Sequence, residues 1–306
     1  MISIILVTYN STGVLAPCLR SLAGSGAEII VVDNASSDDS VKIAEACGAR
    51  VIANSVNRGF AAAVNQGVAL SSGQRVLLLN PDTVLLEGLD ALSACLAGDA
   101  QAGAAAGVLV DAASGQPQQG FSVRRLPDFA TLGCEVLGLN RIWPGNPVNR
   151  RYRCLDLDLN QRQQVAQPAG ACLMVKREVW NELGGFDERF HPLWFEDVDF
   201  CLRLGQANWR IWLEPRCRLS HSGGHSIEKI GFKERQLYWY ANLFYYVRKN
   251  IGSAAAPGMR VLVCIGACAR IAVALLCGRF GQTGAFRAVI RLALTGANRV
   301  ARPTFE

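Results

Sequence analysis

The sequence has no Cys-x-x-Cys pair, although it contains eleven cysteines among its 306 residues. Only Cys264 and Cys268 lie four residues apart, and both are inside an apolar stretch. Closely spaced cysteine pairs mark many zinc sites, and disulfide frameworks belong to oxidising compartments. The spacing therefore argues against both and favours buried thiols in a reducing compartment.

Three further signals are missing. Residues 2–7 are apolar except for Ser3, but no basic leader precedes them and the run is too short for a signal peptide, so we expect a cytoplasmic protein. No Gly-x-Gly-x-x-Gly follows this run, which argues against a nicotinamide-dependent dehydrogenase. No internal repeat is evident.

Positive charge is concentrated in the C-terminal part of the chain. The net charge is +6, yet residues 229–306 hold twelve lysines and arginines and only two acids, Glu234 and Glu306. The preceding residues are therefore net acidic. Half of all residues are apolar, which suffices for one large domain with an appendage.

Short apolar runs at 2–8, 28–32 and 76–79 are separated by segments of helical period. This alternation predicts an α/β fold with a mostly parallel sheet and right-handed crossovers. Ligands of such sheets bind at the carboxyl ends of the strands. The polar clusters that follow the three runs are Thr8-Tyr9-Asn10, 33–38 and Asn80-Pro81-Asp82.

The second half contains irregular and acidic segments. We interpret 111–127 as a hairpin or flap and 140–167 as a functional loop or mobile segment. An apolar run at 169–175 precedes a helix that should end at Gly184. At 196–199, three acids follow two aromatic residues, and desolvation there would raise a carboxyl pKa and suit a general base. The alternative is an ordinary helix start, with Asp199 paired to Arg203.

The C-terminal segment contains an apolar run at 261–277, interrupted by Arg270. A spanning helix needs about twenty apolar residues, so this run is marginal. Further on, Arg287 and Arg291 lie off an apolar helical face, which favours a helix in the membrane interface. The alternative is a basic helix packed on the domain or on a second subunit. The face consists of Phe286, Val289, Ile290, Ala293 and Ala297.

Eight segments in order resemble family 2 glycosyltransferases of the GT-A fold. They are VTYN (7–10), VDNASSD (32–38), NRGFAAAVNQG (57–67), LNPD (79–82), GACLM (170–174), GGFDE (184–188), FEDVD (195–199) and HSGGHS (221–226). The resemblance implies a nucleotide-binding GT-A domain at 1–230, a mostly parallel sheet with flanking helices. A helical segment at 231–306, basic and apolar, would follow it and associate with a membrane or a second subunit.

The resemblance also implies a site for a UDP- or dTDP-sugar donor. Its residues would be Thr8, Tyr9, Asn10, Asp33, Asn34, Arg58, Gly59, Asn65, Asn80 and Asp82. Asp33 would accept a hydrogen bond from the pyrimidine N3–H, a donor that cytosine lacks at that atom. Alternatively, Asp33 is a turn or N-cap residue, and Gly59 with the following alanines only allows tight helix packing.

Asp82 matches the last acid of the family's Asp-x-Asp metal motif. An oxygen ligand at a strand end suits Mg²⁺ or Mn²⁺, which neutralises charge on the leaving diphosphate. One carboxylate is not enough for a metal site, so we predict His221 as a second ligand, with His225 as the competing candidate. An imidazole ligand would favour Mn²⁺.

Asp197 matches the second acid of the family's Glu-Asp pair and would be the catalytic base. Glu196 would hold the acceptor or orient Asp197. One base without a nucleophile implies inversion at the anomeric carbon.

Within the family, the sequence is most similar to bacterial rhamnosyltransferases. The implied activity is transfer of L-rhamnose from dTDP-rhamnose to a lipid-linked or cell-surface glycan, at the inner face of the cytoplasmic membrane. Galactofuranose or glucose would be alternative sugars, and a catalytically silent nucleotide-sugar-binding subunit is the alternative of another class. We expect no nucleic-acid partner, and a homo-oligomer is left open.

Overall fold

The computed structural model describes residues 1–223 and 229–295. The chain divides into two compact units. We call residues 1–126, 153–188 and 196–226 the sheet unit, and residues 127–152, 189–195 and 227–306 the helical unit. The domain boundary predicted after residue 230 stays a prediction, because the helical unit also includes two earlier stretches of chain.

All strands in the described part of the chain lie in the sheet unit. They are β1 (Ile2–Thr8), β2 (Glu28–Asp33), β3 (Arg50–Ala53), β4 (Arg75–Leu79), β5 (Thr83–Glu87), β6 (Ala102–Asp111), β7 (Val123–Arg124), β8 (Gln163–Gln164), β9 (Gln167–Pro168), β10 (Cys172–Lys176) and β11 (Arg210–His221). The helices of this unit are α1 (Thr12–Ser21), α2 (Ser40–Ala46), α3 (Phe60–Ala69), α4 (Leu89–Ala97), α8 (Arg177–Leu183) and α9 (Glu196–Gln206).

The main sheet has the order β3-β2-β1-β4-β10-β6-β11-β5, with β8 added beside β11. Neighbours are parallel from β3 to β4 and between β6 and β11, whereas β10 and β5 run antiparallel to their neighbours. Strands β7 and β9 form a separate two-stranded ladder. The predicted α/β fold and the strands expected at 2–8, 28–32 and 76–79 are confirmed.

Alternation along β1 builds a core on both faces of the sheet. Ile4 and Leu6 pack with apolar residues of α1 and α4, and Ile5 packs with those of α3, α8 and α9. Because both faces are covered, the middle of the strand, from Ile4 to Val7, is a continuous apolar run rather than alternating. Helix α8 ends where Gly184 takes a left-handed φ of 70°, as its sequence predicts.

The strand register aligns the carboxyl ends of the first strands. Thr8 is opposite Asp33, and Leu6 is opposite Leu79. The polar clusters that follow β1, β2 and β4 therefore meet at one edge of the sheet, which confirms their predicted convergence.

The helical unit contains α5 (Phe129–Leu137), α6 (Leu139–Ile142), α7 (Pro147–Tyr152), α10 (Phe232–Tyr246), α11 (Ala256–Leu276) and α12 (Thr283–Thr295). Helix α11 packs against α5 and α12, and α10 also packs against α12. In the described part of the chain, one helical stretch, Ser253–Leu276, is long and apolar enough to cross a membrane by length and composition.

The apolar face of α12 corrects a sequence prediction. Phe286, Val289 and Ala293, which we expect at a membrane from their spacing, are buried inside the helical unit. Ala297 lies outside the described residues. The exposed apolar face belongs to α11 instead, where Val261, Ile265 and several later residues are solvent-accessible. Amphipathic spacing gives the direction of a face but not its partner.

Candidate active site

The carboxylate of Asp33 is 2% exposed and is already engaged by the protein. Its Oδ1 accepts hydrogen bonds from Thr8 Oγ1 (2.7 Å) and Ser36 Oγ (2.5 Å), and its Oδ2 accepts from the Ser36 N–H (2.8 Å). The hydroxyl of Thr8 is thus used inside the protein, while the next residue, Tyr9, is half-buried. A carboxylate has about four acceptor positions, so Asp33 keeps room for one more donor. Its predicted bond to a pyrimidine stays a prediction.

Two asparagines shape the loops around this position. Asn10 Oδ1 accepts from the Ser37 N–H at 2.7 Å. Asn34 holds the next loop from both ends of its amide, accepting from the Arg58 N–H (3.2 Å) and donating to the Gly59 carbonyl (3.1 Å). The side chain of Arg58 is exposed beside this tether. These contacts fix the backbone that the predicted donor site would use.

The side-chain amide of Asn65 is already engaged within the protein. Its Nδ2 donates to Phe186 O (2.9 Å) and Glu188 Oε1 (3.0 Å), and its Oδ1 accepts from the Phe186 N–H (2.9 Å). The amide is therefore used in joining α3 to the 184–188 segment. The predicted part of Asn65 in the donor site stays a prediction.

The two predicted metal ligands lie together. Asp82 Oδ1 is 3.6 Å from His221 Nε2, and both side chains are more than nine-tenths buried. Antiparallel pairing of β5 with β11 sets this approach, because His221 is the register partner of Thr83. The Asp82 carbonyl also accepts from the Ser222 N–H at 3.2 Å. On the other side of this turn, the backbone N–H of Asn80 donates to Ala171 O at 3.1 Å.

Gln118 determines which nitrogen of His221 faces Asp82. Its Nε2 donates to the His221 carbonyl (2.7 Å), so its Oε1 is the atom 3.0 Å from His221 Nδ1. A carbonyl oxygen only accepts, and Nδ1 must therefore carry the hydrogen. Burial lowers the pKa of His221, and the nearby Asp82 opposes this shift. The neutral imidazole consequently directs the lone pair of Nε2 toward Asp82.

Within the described residues, no group of three or more His, Cys, Asp or Glu side chains is placed to hold a metal ion. Asp82 and His221 would thus contribute two protein ligands, with the rest supplied by substrate and water. The competing candidate, His225, lies outside the described residues.

The flap predicted at 111–127 brings two more side chains to this edge. The Phe121 ring stacks on the His221 ring, with centroids 5.1 Å apart and planes inclined by 17°. The guanidinium carbon of Arg124 lies 5.4 Å from the centre of the Phe121 ring. Arg124 pairs with Gln167 in the β7–β9 ladder, which fixes its backbone. The positive charge is thereby held close to the proposed base.

Asp197 lies at the start of α9. Its Oδ2 accepts from the Gly170 N–H (3.2 Å), and its Oδ1 accepts from the Val198 N–H (2.8 Å). Burial raises the pKa of Asp197, while these N–H groups and the charge of Arg124 act in the opposite direction. A Cβ at position 170 would lie 3.2 Å from the Asp197 Cβ and Oδ2, so glycine permits this close approach. The raised pKa is what a general base requires.

The neighbouring acids have different positions. Glu196 is 5% exposed, which suits an orienting role better than direct contact with an acceptor. Asp199 is fully buried and binds Arg203 Nε at 2.8 Å. The same guanidinium donates to the carbonyls of Leu183 (2.7 Å) and Gly185 (2.8 Å). The predicted ion pair between Asp199 and Arg203 is confirmed, and it joins α8 to α9.

Sequence reasoning missed Gln118, Phe121, Arg124 and Gly170 as site residues. The flap was recognisable from its Ser-Gly and Pro-rich text, but glutamine and phenylalanine there carry no spacing signal. Their contact with His221 spans about a hundred residues and depends on the tertiary fold.

The family model described as Glycosyl transferase family 2 matches residues 3–184, more than half of the chain. The chain belongs to glycosyltransferase family 2. This family 2 glycosyltransferase is 34% identical over 132 residues to the N-acetylglucosaminyl-diphospho-decaprenol L-rhamnosyltransferase of Mycobacterium tuberculosis, a stretch covering 39% of this chain and 42% of that protein. It is 31% identical over 121 residues to the pre-mycofactocin glycosyltransferase of the same organism, a stretch covering 37% of this chain and 22% of that protein. The alignments thus span less than half of either relative.

Solved structures show the same fold. A mannosyltransferase of Pyrobaculum calidifontis, in complex with GDP-Man and Mn²⁺, superimposes with a TM-score of 0.56 at 16% identity, covering 96% of this chain and 86% of that one. GalNAc-T7, with UDP, GalNAc and Mn²⁺, gives a TM-score of 0.55 at 14% identity, and the match covers 80% of this chain and 50% of that one. The predicted GT-A fold with C-terminal helices is confirmed. At this identity the likeness concerns the fold alone.

Proposed function

We propose that the chain is a metal-dependent, inverting glycosyltransferase that uses a pyrimidine nucleoside diphosphate sugar. The observation that carries the proposal is the 3.6 Å approach of Asp82 Oδ1 to His221 Nε2 at the carboxyl edge of the sheet. Asp197, in the same unit, has the raised pKa of a base. A metal-binding pair and a separate base are the two parts that sugar transfer from a diphosphate requires.

The residues at this edge fit a divalent cation. Carboxylate oxygen suits Mg²⁺ and Mn²⁺, and the imidazole of His221 favours Mn²⁺. Gln118 holds the ring with the lone pair of Nε2 toward Asp82, the arrangement that ligating histidines receive from their outer-shell partners. A cation bound there would neutralise negative charge on the departing diphosphate.

Asp197 would remove the proton of the acceptor hydroxyl. The acceptor oxygen then forms a bond to the anomeric carbon while the bond from that carbon to the diphosphate oxygen breaks. The N–H groups of Gly170 and Val198 hold both carboxylate oxygens of Asp197 in place for this step. Because a single base activates the acceptor and no enzyme nucleophile takes part, the product has inverted configuration.

The best candidate donor is dTDP-L-rhamnose, and the best candidate acceptor is a lipid-linked or cell-surface glycan. Similarity to the mycobacterial L-rhamnosyltransferase, whose name includes a decaprenol diphosphate, supports both. Another UDP- or dTDP-sugar, such as galactofuranose or glucose, is the alternative. The free acceptor position of Asp33 supports a uracil or thymine base over cytosine, which has no N–H donor at N3.

We also propose that the helical unit holds the enzyme at the inner face of the cytoplasmic membrane. Helix α11 has an exposed apolar face that includes Val261, Ile265 and Leu276. Arg270 is not on that face, because its guanidinium binds the carbonyls of Glu135 and Val136 at the end of α5. The basic surroundings of the helix suit anionic lipid headgroups. A lipid-linked acceptor would be presented at the same membrane.

A donor screen tests this function. We expect dTDP-rhamnose, with Mn²⁺ present, to raise the melting temperature more than GDP-mannose does, since a ligand stabilises the state that binds it. The enzyme should also hydrolyse the donor slowly without acceptor. Stabilisation by GDP-sugars only would contradict the pyrimidine assignment. Binding without hydrolysis or transfer would identify a silent nucleotide-sugar-binding subunit.

A further inference from the structure

A short turn in the helical unit exposes two large apolar side chains side by side. We call residues 139–149, from α6 into α7, the braced turn. Within it, Ile142 is 82% exposed and Trp143 is 63% exposed, with Leu139 at 45% one helical turn earlier. Single exposed apolar residues are common on protein surfaces. An isoleucine next to a tryptophan on one turn forms a larger exposed apolar patch, and such patches are typical of interaction sites.

Buried asparagines hold this turn from the inside. Asn146 Nδ2 donates to the Trp143 carbonyl (2.7 Å) and to Asn140 Oδ1 (3.0 Å), and Asn149 Nδ2 donates to the Pro144 carbonyl (2.6 Å). Asn146 and Asn149 are both at least 94% buried. The carbonyls of Trp143 and Pro144 are therefore satisfied by the protein. Ile142 and Trp143 are exposed on a defined backbone and not on a loose loop.

Three arginines lie in the same stretch of chain as the exposed pair. Arg141, Arg150 and Arg151 are all exposed. The acid nearest to the pair in sequence, Glu135, is bound by Asn140 at 2.8 Å, and a backbone hydrogen bond together with the charge of Arg151 lowers the pKa of Asp128. Exposed apolar side chains with arginines beside them match the boundary between lipid chains and anionic headgroups. Tryptophan is enriched at that boundary, because its ring is apolar and its N–H can be hydrated.

The braced turn is attached to the proposed membrane helix. Arg270 of α11 donates to the carbonyls of Glu135 (3.1 Å) and Val136, which close α5 just before the turn begins. Gly266 allows this contact, because a Cβ there would overlap the Val136 carbonyl. The turn and α11 thus belong to one packed set of helices.

We infer that the braced turn is a second membrane-contact element, in which Ile142 and Trp143 insert at the interface of an anionic lipid surface. Arg141 in the turn and Arg150 and Arg151 just after it bind the headgroups. This inference rests on the proposed membrane association of the helical unit and extends it to a segment far from the C-terminal helices in sequence. The occupant is a lipid surface, since three exposed arginines within ten residues of an exposed apolar pair complement an anionic interface.

Vesicle sedimentation of the full chain tests the inference. The vesicles are phosphatidylcholine with and without phosphatidylglycerol. The double variant Ile142→Ser, Trp143→Ser should partition into vesicles at least about tenfold more weakly. Each replaced apolar side chain no longer contributes its free energy of transfer from water. Leu86→Ser, which alters a comparably exposed apolar residue of the sheet unit, should partition like the wild type. Melting temperature and donor binding should stay unchanged in both.

Two further arms separate the explanations. The variant Ile265→Ser, Leu276→Ser tests α11 alone, and vesicles with brominated acyl chains should quench wild-type fluorescence more than that of Trp143→Phe. If the α11 variant loses vesicle binding while the turn variant and Trp143→Phe behave as wild type, the turn inference is overturned and the proposed membrane association stands. If the wild type ignores anionic vesicles at low salt, both fail. A turn variant that binds vesicles normally but changes from oligomer to monomer by analytical ultracentrifugation would identify a protein interface instead.

Discussion

The two units differ most in charge and in exposed apolar surface. Within the described residues, the helical unit holds fourteen lysines and arginines and three acids. The sheet unit holds fifteen lysines and arginines and twenty acids. Of the fifteen large apolar residues that are exposed in the described part of the chain, ten lie in the smaller, helical unit. The sheet unit buries its apolar residues and places carboxylates at a strand edge. The proposed chemistry and the proposed membrane attachment would therefore belong to separate units.

Loss of the proposed base should give the largest effect and sharpen this separation. We expect Asp197→Asn to lower the transfer rate by about a hundredfold or more, the usual scale for a general base. Donor affinity and vesicle sedimentation should stay as in the wild type. Asp90→Asn, at an exposed position in α4, serves as the control. Normal transfer by Asp197→Asn would assign the base to another residue.

Gln118→Leu should weaken Mn²⁺ binding about 10- to 100-fold, because the His221 ring loses the partner that fixes its orientation. Titration calorimetry with Mn²⁺ in the presence of the nucleoside diphosphate measures this. Gln116→Leu, an exposed position two residues earlier, is the matched control. Equal metal affinity in the two variants would mean that Gln118 only supports the flap.

Gly266→Ala tests whether the helical unit depends on the contact between α5 and α11. The added Cβ overlaps the Val136 carbonyl, and overpacking of this kind costs about 1–3 kcal/mol of unfolding free energy. Gly284→Ala, a helical glycine with open space around its Cα, should be neutral or slightly stabilising. Thermal and denaturant unfolding measure both. Equal stability of the two variants would show that the contact contributes little to the free energy of unfolding.

The smallest effect concerns the pH profile. Burial raises the pKa of Asp197, and because the base must be ionised, kcat/KM should fall as the pH drops through that raised pKa. The charge of Arg124 lowers the same pKa, so Arg124→Gln should move the acidic limb of the profile to higher pH. Arg125→Gln is the control at the adjacent position. An unmoved limb would exclude coupling between Arg124 and the base.

Local patterns predicted several features correctly. The strands β1, β2 and β4, the end of α8 at Gly184 and the ion pair between Asp199 and Arg203 follow from hydrophobic runs, glycine chemistry and helical spacing. The apolar spacing predicted for α12 is also correct, but the predicted membrane contact of its apolar face is not. Helical spacing shows which way an apolar face points and not what covers it.

The sequence by itself determined the family, the order of the strands along the chain and the residue types at the strand ends, since these depend on motifs and on periods of two and 3.6 residues. Tertiary structure decided which polar side chains are already committed. Asn65 accepts a hydrogen bond from the N–H of Phe186, 121 residues away, and His221 is oriented by Gln118, 103 residues away. It also decided that Arg270 caps α5 and that Ile142 and Trp143 are exposed. Hydrogen bonds between distant segments have no period, so only the folded chain reveals them.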